Sequence, residues 1–349
     1  MVAGHWLGMV PPQYIFSKRQ FKGVAIDPPN FKPGSWTGAG KAIFHDAGNE
    51  FLLTSRPRVA EGNKRGYQAN IYRSDDGCTN FSLITSLSKE LVQDIASIDI
   101  HSIEGTQLLM DPLTGSWHFY LSVDVGKEFV WGGLKWETLL LVAPDLTGPW
   151  ESRGIVLSTG STRDHDAMQA RDGTIDIIDG RYHCIYKAKD KEGTRRPGYA
   201  TSNDGIKWNK HGVLSVDGAD EKVFLSGSLF AGATGPMFIG TCMAHEIDPN
   251  VEHEAADEHG VRHGQSLVTF YAAILDHRGG NLDTIFQARW KPSSPYEFSL
   301  HPLLGYSTSI HDPVRNRILL YVEAIDDIHT VKTGLNHTVE RVLVYEIML

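Results

Sequence analysis

The chain has 349 residues, 41% hydrophobic and 21% charged, the balance of a soluble globular protein with ample sequence for a core. Its formal net charge of −9 argues against a nucleic-acid partner, which needs clustered Lys and Arg. No apolar run approaches the ~20 residues that span a bilayer, so a membrane partner is not expected. The three cysteines, Cys78, Cys184 and Cys242, are too few and too scattered for a disulfide framework and fit a reducing compartment. Residues Met1 to Phe16 lack a basic start followed by an apolar run, so the expected location is cytoplasmic.

The 35 glycines, 16 prolines and many aromatics predict short strands joined by tight turns. In chain order, Tyr14 to Ile26 is expected to supply a strand to the far end of the fold, and Asp27-Pro28 a turn. Gly38 to Ile43 then starts a plan that recurs in five segments: a first strand, a turn, an apolar second strand, a loop and a third strand. The second strands are Glu50–Thr54, Trp117–Leu121, Arg181–Tyr186, Pro236–Gly240 and Arg317–Val322. Their turns read Asp46-Ala47-Gly48-Asn49, Asp111 to Gly115, Asp179-Gly180, Thr234-Gly235 and Asp312 to Asn316, the residues that hairpins require. Third strands match as well: Asn70 to Gly77 resembles Gly198 to Gly205, and Leu139 to Trp150 is a variant. The interval before the fifth second strand is long because of an acidic and histidine-rich insertion near 243–266, and Arg341 to Ile347 reads as a closing strand.

Radial repetition of small antiparallel sheets is the pattern of a β-propeller, so the expected fold is all-β: one domain over 1–349, a five-bladed propeller of four-stranded blades. No long apolar pattern of period 3.6 is present, so helices should be few. Within this register Glu104-Gly105-Thr106 and Asp172-Gly173-Thr174 occupy one position in consecutive repeats, each carboxylate seven residues ahead of a turn aspartate, Asp111 or Asp179. First strands line the axis of a propeller, so both carboxylates should point into a shared funnel. Two converging carboxylates are the minimal machinery for acid–base attack on a glycosidic bond. Asp111, Asp179 and Asp312 are expected to be structural, as turn aspartates that satisfy backbone donors.

The blade count and the carboxylates that open the first strands resemble the five-bladed propeller glycosidases and phosphorylases, the superfamily of glycoside hydrolase families 32, 43, 62 and 130. Ser102-Ile103-Glu104-Gly105-Thr106 looks like the inner-strand start that reads Glu-Asp-Pro-Arg in family 130, and Ser74-Asp75-Asp76-Gly77 resembles a Ser-x-Asp-Gly element common in these propellers. This chain departs from them in two places. Asp-Pro-Arg does not follow Glu104, and the fourth inner strand, Leu225 to Phe230, holds no carboxylate where family 43 keeps one. The resemblance implies a carbohydrate substrate, with Glu104 and Asp172 as acid and base or nucleophile. It leaves open a phosphorylase, a lyase, or a propeller that only binds a glycan.

Family 43 places its base early in the chain, which makes Asp27 a candidate third carboxylate; the alternative is that it only opens a turn. The loop cluster Arg163-Asp164-His165-Asp166 is the other candidate, against a solvated loop. Lys41 lies in the first inner strand among small residues, which suggests close ligand approach, and it lacks the spacing of a phosphate-binding Walker loop. Arg56, Arg58 and Lys187 end second strands and suit anions at the same mouth. His311, in the fifth inner strand, matches a family 43 histidine kept near the axis, against a packing role. His101 lies three residues before Glu104. Trp36 and Trp131 are candidate sugar-stacking platforms, against core packing. The insertion lacks zinc-ligand spacing, and neither a metal nor a cofactor is expected.

Overall fold

The computed structural model describes residues 10–59, 64–128, 133–247, 266–276, 279–297, 303–330 and 337–349. The chain opens with helix α1 (Pro12–Lys18) and strand β1 (Gln20–Ile26). A first meander follows, β2 (Trp36–His45), β3 (Glu50–Val59), a two-residue β4 (Lys64–Arg65), β5 (Gln68–Ser74) and β6 (Ser82–Ser88), then helix α2 (Lys89–Ala96). The second meander is β7 (Ser102–Met110), β8 (Trp117–Asp124), β9 (Trp136–Ala143) and β10 (Glu151–Leu157). The third is β11 (Gln169–Ile178), β12 (Arg181–Lys189), β13 (Arg195–Ser202) and β14 (Trp208–Val213), with a short β15 (Ser215–Val216) after it. The fourth is β16 (Val223–Ala231), β17 (Pro236–Ile247), β18 (Ser266–Leu275) and β19 (Asn281–Arg289). The fifth is β20 (Leu303–Asp312), β21 (Arg317–Ile325) and β22 (Glu340–Met348), and β1 pairs antiparallel with β22 as its fourth strand.

Within each meander neighbouring strands are antiparallel, and the expected second strands begin at the predicted residues: Glu50, Trp117, Arg181, Pro236 and Arg317. The first strands pack side by side in a closed circuit, β2 on β7, β7 on β11, β11 on β16, β16 on β20 and β20 on β2. That circuit makes one funnel out of positions far apart in the chain. Apolar clusters fill the seams between meanders, for example Leu108, Phe119, Leu121 and Leu139 against Ile71 and Leu87. Both helices are short, and no helix among the described residues is long and apolar enough to cross a membrane.

Two differences from the sequence reading stand out. Tyr14 to Lys18 is helical rather than strand, because the segment starts on prolines and buries Ile15 while Phe16 packs 5.4 Å from the Phe270 ring. The insertion near 243–266 falls largely outside the described residues, since β17 ends at Ile247 and β18 begins at Ser266.

The repeated Ser-x-Asp-Gly turns are alike in detail. Ser74 Oγ accepts from the Gly77 amide at 3.0 Å and Ser202 Oγ from the Gly205 amide at 2.9 Å. Each glycine has φ of +69° and offers its carbonyl to a tyrosine of another meander, Tyr321 to Gly77 at 2.6 Å and Tyr120 to Gly205 at 3.0 Å. A Cβ on Gly205 would also lie 2.4 Å from Tyr120 Oη. Gly205→Ala should therefore lower the unfolding free energy by roughly 1–3 kcal/mol in a urea titration. Gly154, with φ of +76° but open space around it, should tolerate alanine better; equal losses at both sites would show that crowding is irrelevant.

Candidate active site

A shared irregularity aims the site. In β2, β7 and β11 two residues stand opposite one on the second strand: Gly40-Lys41 between Ala39 and Ala42, Glu104-Gly105 between Ile103 and Thr106, and Asp172-Gly173 between Arg171 and Thr174. A bulge of this kind twists the strand and re-aims a side chain. β20 carries a longer irregularity between Leu303 and Ser307, whereas β16 pairs without a break from Val223 to Ala231. The Glu-Gly and Asp-Gly strings are thus structurally equivalent, and Gly40 takes the carboxylate's place in the first meander.

The two strings also touch. The Gly105 amide donates to Asp172 Oδ1 at 3.1 Å, and a Cβ on Gly105 would sit 2.8 Å from that oxygen, so only glycine permits the approach. Asp172 has φ of +50°, and its own amide donates to Ser122 Oγ at 2.8 Å, opposite the Glu104 bulge. Arg171 Nη1 lies 3.3 Å from Asp172 Oδ2 and 3.6 Å from Glu104 Oε2, which bounds the separation of those oxygens at about 7 Å. Both carboxylates are buried, Glu104 at 1% and Asp172 at 7% exposure.

Around them stand Arg56, whose Nη2 is 3.2 Å from Glu104 Oε2, Lys187, whose Nζ is 3.9 Å from Asp172 Oδ2, and Tyr306, whose hydroxyl donates to Asp172 Oδ2 at 3.2 Å. Burial opposes the charge on Arg56, yet the surrounding anions, Glu104 foremost, hold its pKa above the ordinary guanidinium value. Burial pushes Lys187 well below the usual lysine range, and the neighbouring Arg171 and Arg195 add to the shift. Burial, then the Asp172 charge, raises the Tyr306 phenol, which stays a donor.

Two further carboxyls act electrostatically on Arg56 or are acted on by it. Glu323 on β21 and Glu340 at the start of β22 are both 0% exposed. Burial pushes Glu323 up to about 7, with Arg56 opposing and Glu104 adding to the rise. Burial and the Glu323 charge raise Glu340 well above the carboxylate range, so the pair retains a proton at neutral pH.

The other candidates distribute differently. Arg58 stacks 4.2 Å over the Trp36 ring, both buried at the seam where Trp36 bridges Glu340; Trp36 is packing rather than an open platform. Asp27 is spent elsewhere: its side chain is 56% exposed and pairs with Arg341 at 3.2 Å. Asp164 caps its own loop, taking the Ser161 amide at 2.6 Å. Asp166 is buried and accepts from Tyr186 Oη at 3.0 Å and pairs with Lys210 at 2.5 Å, and His165 bonds the same tyrosine hydroxyl at 3.1 Å. That network ties the loop to the core between the second and third meanders instead of adding a third carboxylate. His101 bonds the Gly126 carbonyl at 3.0 Å, and Trp131 lies outside the described residues. Asp111 accepts from the Thr114 amide at 3.1 Å and the Tyr182 hydroxyl at 2.8 Å, the structural role expected of it.

Lys41 and His311 line a separate cavity of about 580 Å³, with Asp176, Met110, Ile178 and Phe230. Lys41 takes the second bulge position, where Gly105 and Gly173 stand in their strands, and reaches across to Asp176 and the Ile175 carbonyl instead of the carboxylates. Lys41→Met should therefore cost roughly 1.5–3 kcal/mol of stability by loss of a charged hydrogen bond while kcat stays unchanged; a large fall in kcat at full folding would return Lys41 to the site.

Arg171, Tyr306, Glu323 and Glu340 were not among the sequence candidates. The sequence does carry a signal for two of them, since Arg171 directly precedes Asp172 and Glu323 interrupts the apolar run Ile318 to Ile325.

No protein-family model matches the chain, and no curated protein matches it. Solved structures do. One described as a glycoside hydrolase superposes with a TM-score of 0.62 at 13% identity, covering 95% of this chain and 93% of its own. A family 117 glycoside hydrolase of the marine bacterium Zobellia galactanivorans gives 0.57 at 12%, covering 94% and 90%. The β-1,2-mannobiose phosphorylase of Listeria innocua, in complex with β-1,2-mannobiose, gives 0.56 at 14%, covering 94% and 96%. At such identities the likeness speaks for architecture: this chain has the fold of the β-propeller glycosidases and phosphorylases.

Proposed function

We propose that the chain is a glycan-acting enzyme, a glycoside hydrolase built as a single five-bladed propeller of four-stranded blades. The five antiparallel meanders support that blade count. The observation that carries the function is the convergence of Glu104 and Asp172 on Arg171, with Arg56, Lys187 and Tyr306 around them. Three cysteines without disulfides support a reducing, cytoplasmic setting.

In this reading Asp172 acts as base or nucleophile, held by the Gly105 amide and the Tyr306 hydroxyl, and Glu104 serves the leaving oxygen. Glu104 needs a proton for that role, and its partner Arg56 opposes one. Glu104 and Glu323 both act electrostatically on Arg56, and Glu104 also acts on Glu323, so a negative charge gained on Glu323 opposes the negative charge on Glu104. A separation within about 7 Å suits either a retaining pair or the shortest inverting pair. The cations around Asp172 also favour a second reading, phosphorolysis, with inorganic phosphate in place of water.

The test is turnover of a panel of aryl glycosides and oligosaccharides with and without phosphate, with the product anomer followed by NMR. Release independent of phosphate supports hydrolysis, and strict phosphate dependence moves the assignment to a phosphorylase. No release from any sugar, with sugars still bound, would leave a non-catalytic glycan-binding propeller.

A further inference from the structure

One side of the funnel mouth carries like charges placed directly opposite each other. Arg171 on β11 is the cross-strand partner of Lys187 on β12, and Lys189, two residues further on the same face, is the partner of Arg195 on β13. Facing like charges destabilise a sheet, and nothing in the fold requires two such pairs in succession. The carboxylates at hand are already shared. Glu104 and Asp172 answer Arg56 and Arg171, while Asp190 pairs with Arg196 at 3.4 Å. Among the described residues Lys187 has as its ion pair the long 3.9 Å contact to Asp172, and its ammonium rests 4.4 Å over the Phe224 ring. Among the described residues Arg195 has no carboxylate within ion-pair distance, and the buried Arg171 Nη1 makes no hydrogen bond.

We infer that Arg171, Lys187 and Arg195 form a subsite for a carboxylate carried by the substrate sugar, so that the glycan is acidic, with a uronic acid residue beside the cleaved bond. This rests on the glycan-acting reading above and names its substrate class. The guanidinium forks of Arg171 and Arg195 suit the two oxygens of a carboxylate, and phosphate is the competing anion that the experiment below weighs against it. Lys187 faces Arg171 and Asp172 from β11, Arg195 from β13, Phe224 from β16, and more distantly Glu104 from β7. Burial and the two arginines favour its neutral form, and an incoming carboxylate favours the ammonium. Binding should therefore take up a proton, and affinity should fall as pH rises.

The experiment is titration calorimetry of the full chain with glucuronate, galacturonate, glucose, galactose and inorganic phosphate, at about pH 6 and about pH 8 in buffers of different ionisation heat. The expected result is at least about tenfold tighter binding of one uronate than of its neutral counterpart, with proton uptake and weaker binding at the higher pH. Lys187→Met should cut that advantage to about threefold or less. Lys187→Arg should keep the preference and lose its pH dependence, which separates charge from folding. Equal affinity for uronate and neutral sugar overturns the inference, as does phosphate binding more tightly than either uronate. Hydrolysis of neutral glycosides without uronate preference would overturn the subsite and leave the hydrolase reading intact. Uronate binding without turnover of any uronoside would do the reverse.

Discussion

Asp172→Asn and Glu104→Gln should each lower kcat by about 10²–10⁴-fold, the range associated with loss of a positioned acid or base. Both substitutions preserve shape. An asparagine at 172 can still accept from the Gly105 amide through Oδ1 and donate from Nδ2 to the Tyr306 hydroxyl oxygen, so the bulge has reason to persist. The charge change matters more, since either variant leaves a buried arginine short of an anion, and removing one partner of a buried pair costs about 3–5 kcal/mol. Assays therefore belong well below the melting transition of each variant, with circular dichroism to verify folding. If both folded variants retain activity within about threefold of the wild type, the pair has no part in the chemistry.

The second large effect concerns pH. Glu323 has a folded-state pKa raised from 4.5 to about 7, so the folded chain holds a proton there that the unfolded chain has released. The stabilisation from that proton is fully present below about pH 4.5 and is lost as pH rises through about 7, an expected decline of about 3 kcal/mol. Glu323→Gln removes one of the two shifted protons and should lose measurably less stability over the same interval in urea titrations, while buried Glu340 keeps its own decline. Activity offers an independent readout. With Glu323 and Glu104 sharing Arg56 as a counter-charge, the wild-type pH profile should show a limb near 7 that disappears in Glu323→Gln. A limb that survives unchanged would show that Glu323 acts only on stability, and a flat stability profile in the wild type would remove the shifted proton altogether.

Much of the architecture was legible because hairpin chemistry is local. Asp, Asn and Gly fix the turn, the apolar run fixes the second strand, and the two together place the first strand and its opening residues. That reasoning put Glu104 and Asp172 at equivalent positions, which the structure brings together, and gave Asp111 its role in a turn. It did not find Glu323 or Glu340, whose relation to Arg56 arises only when β21 and β22 come round the circuit to β3. It overvalued Lys41 and Asp27 for a related reason. A residue in or near a first strand need not face the carboxylates: the bulge turns Lys41 toward Asp176, and Asp27 is held by Arg341, more than 300 residues away in sequence.

The pairing of β1 with β22 joins residues 20–26 to residues 342–346. A growing chain can complete its first four meanders in order, but the fifth needs a strand made at the outset and one made more than 300 residues later. Until then β1 is a waiting strand with no edge to meet, and the apolar side chains of β20 and β21 lack their cover. Closing so distant a contact carries a large loop entropy and comes late in folding. At high concentration the β1 of one molecule can complete the fifth meander of another, so the seam that seals the monomer is also the place where two copies would exchange strands.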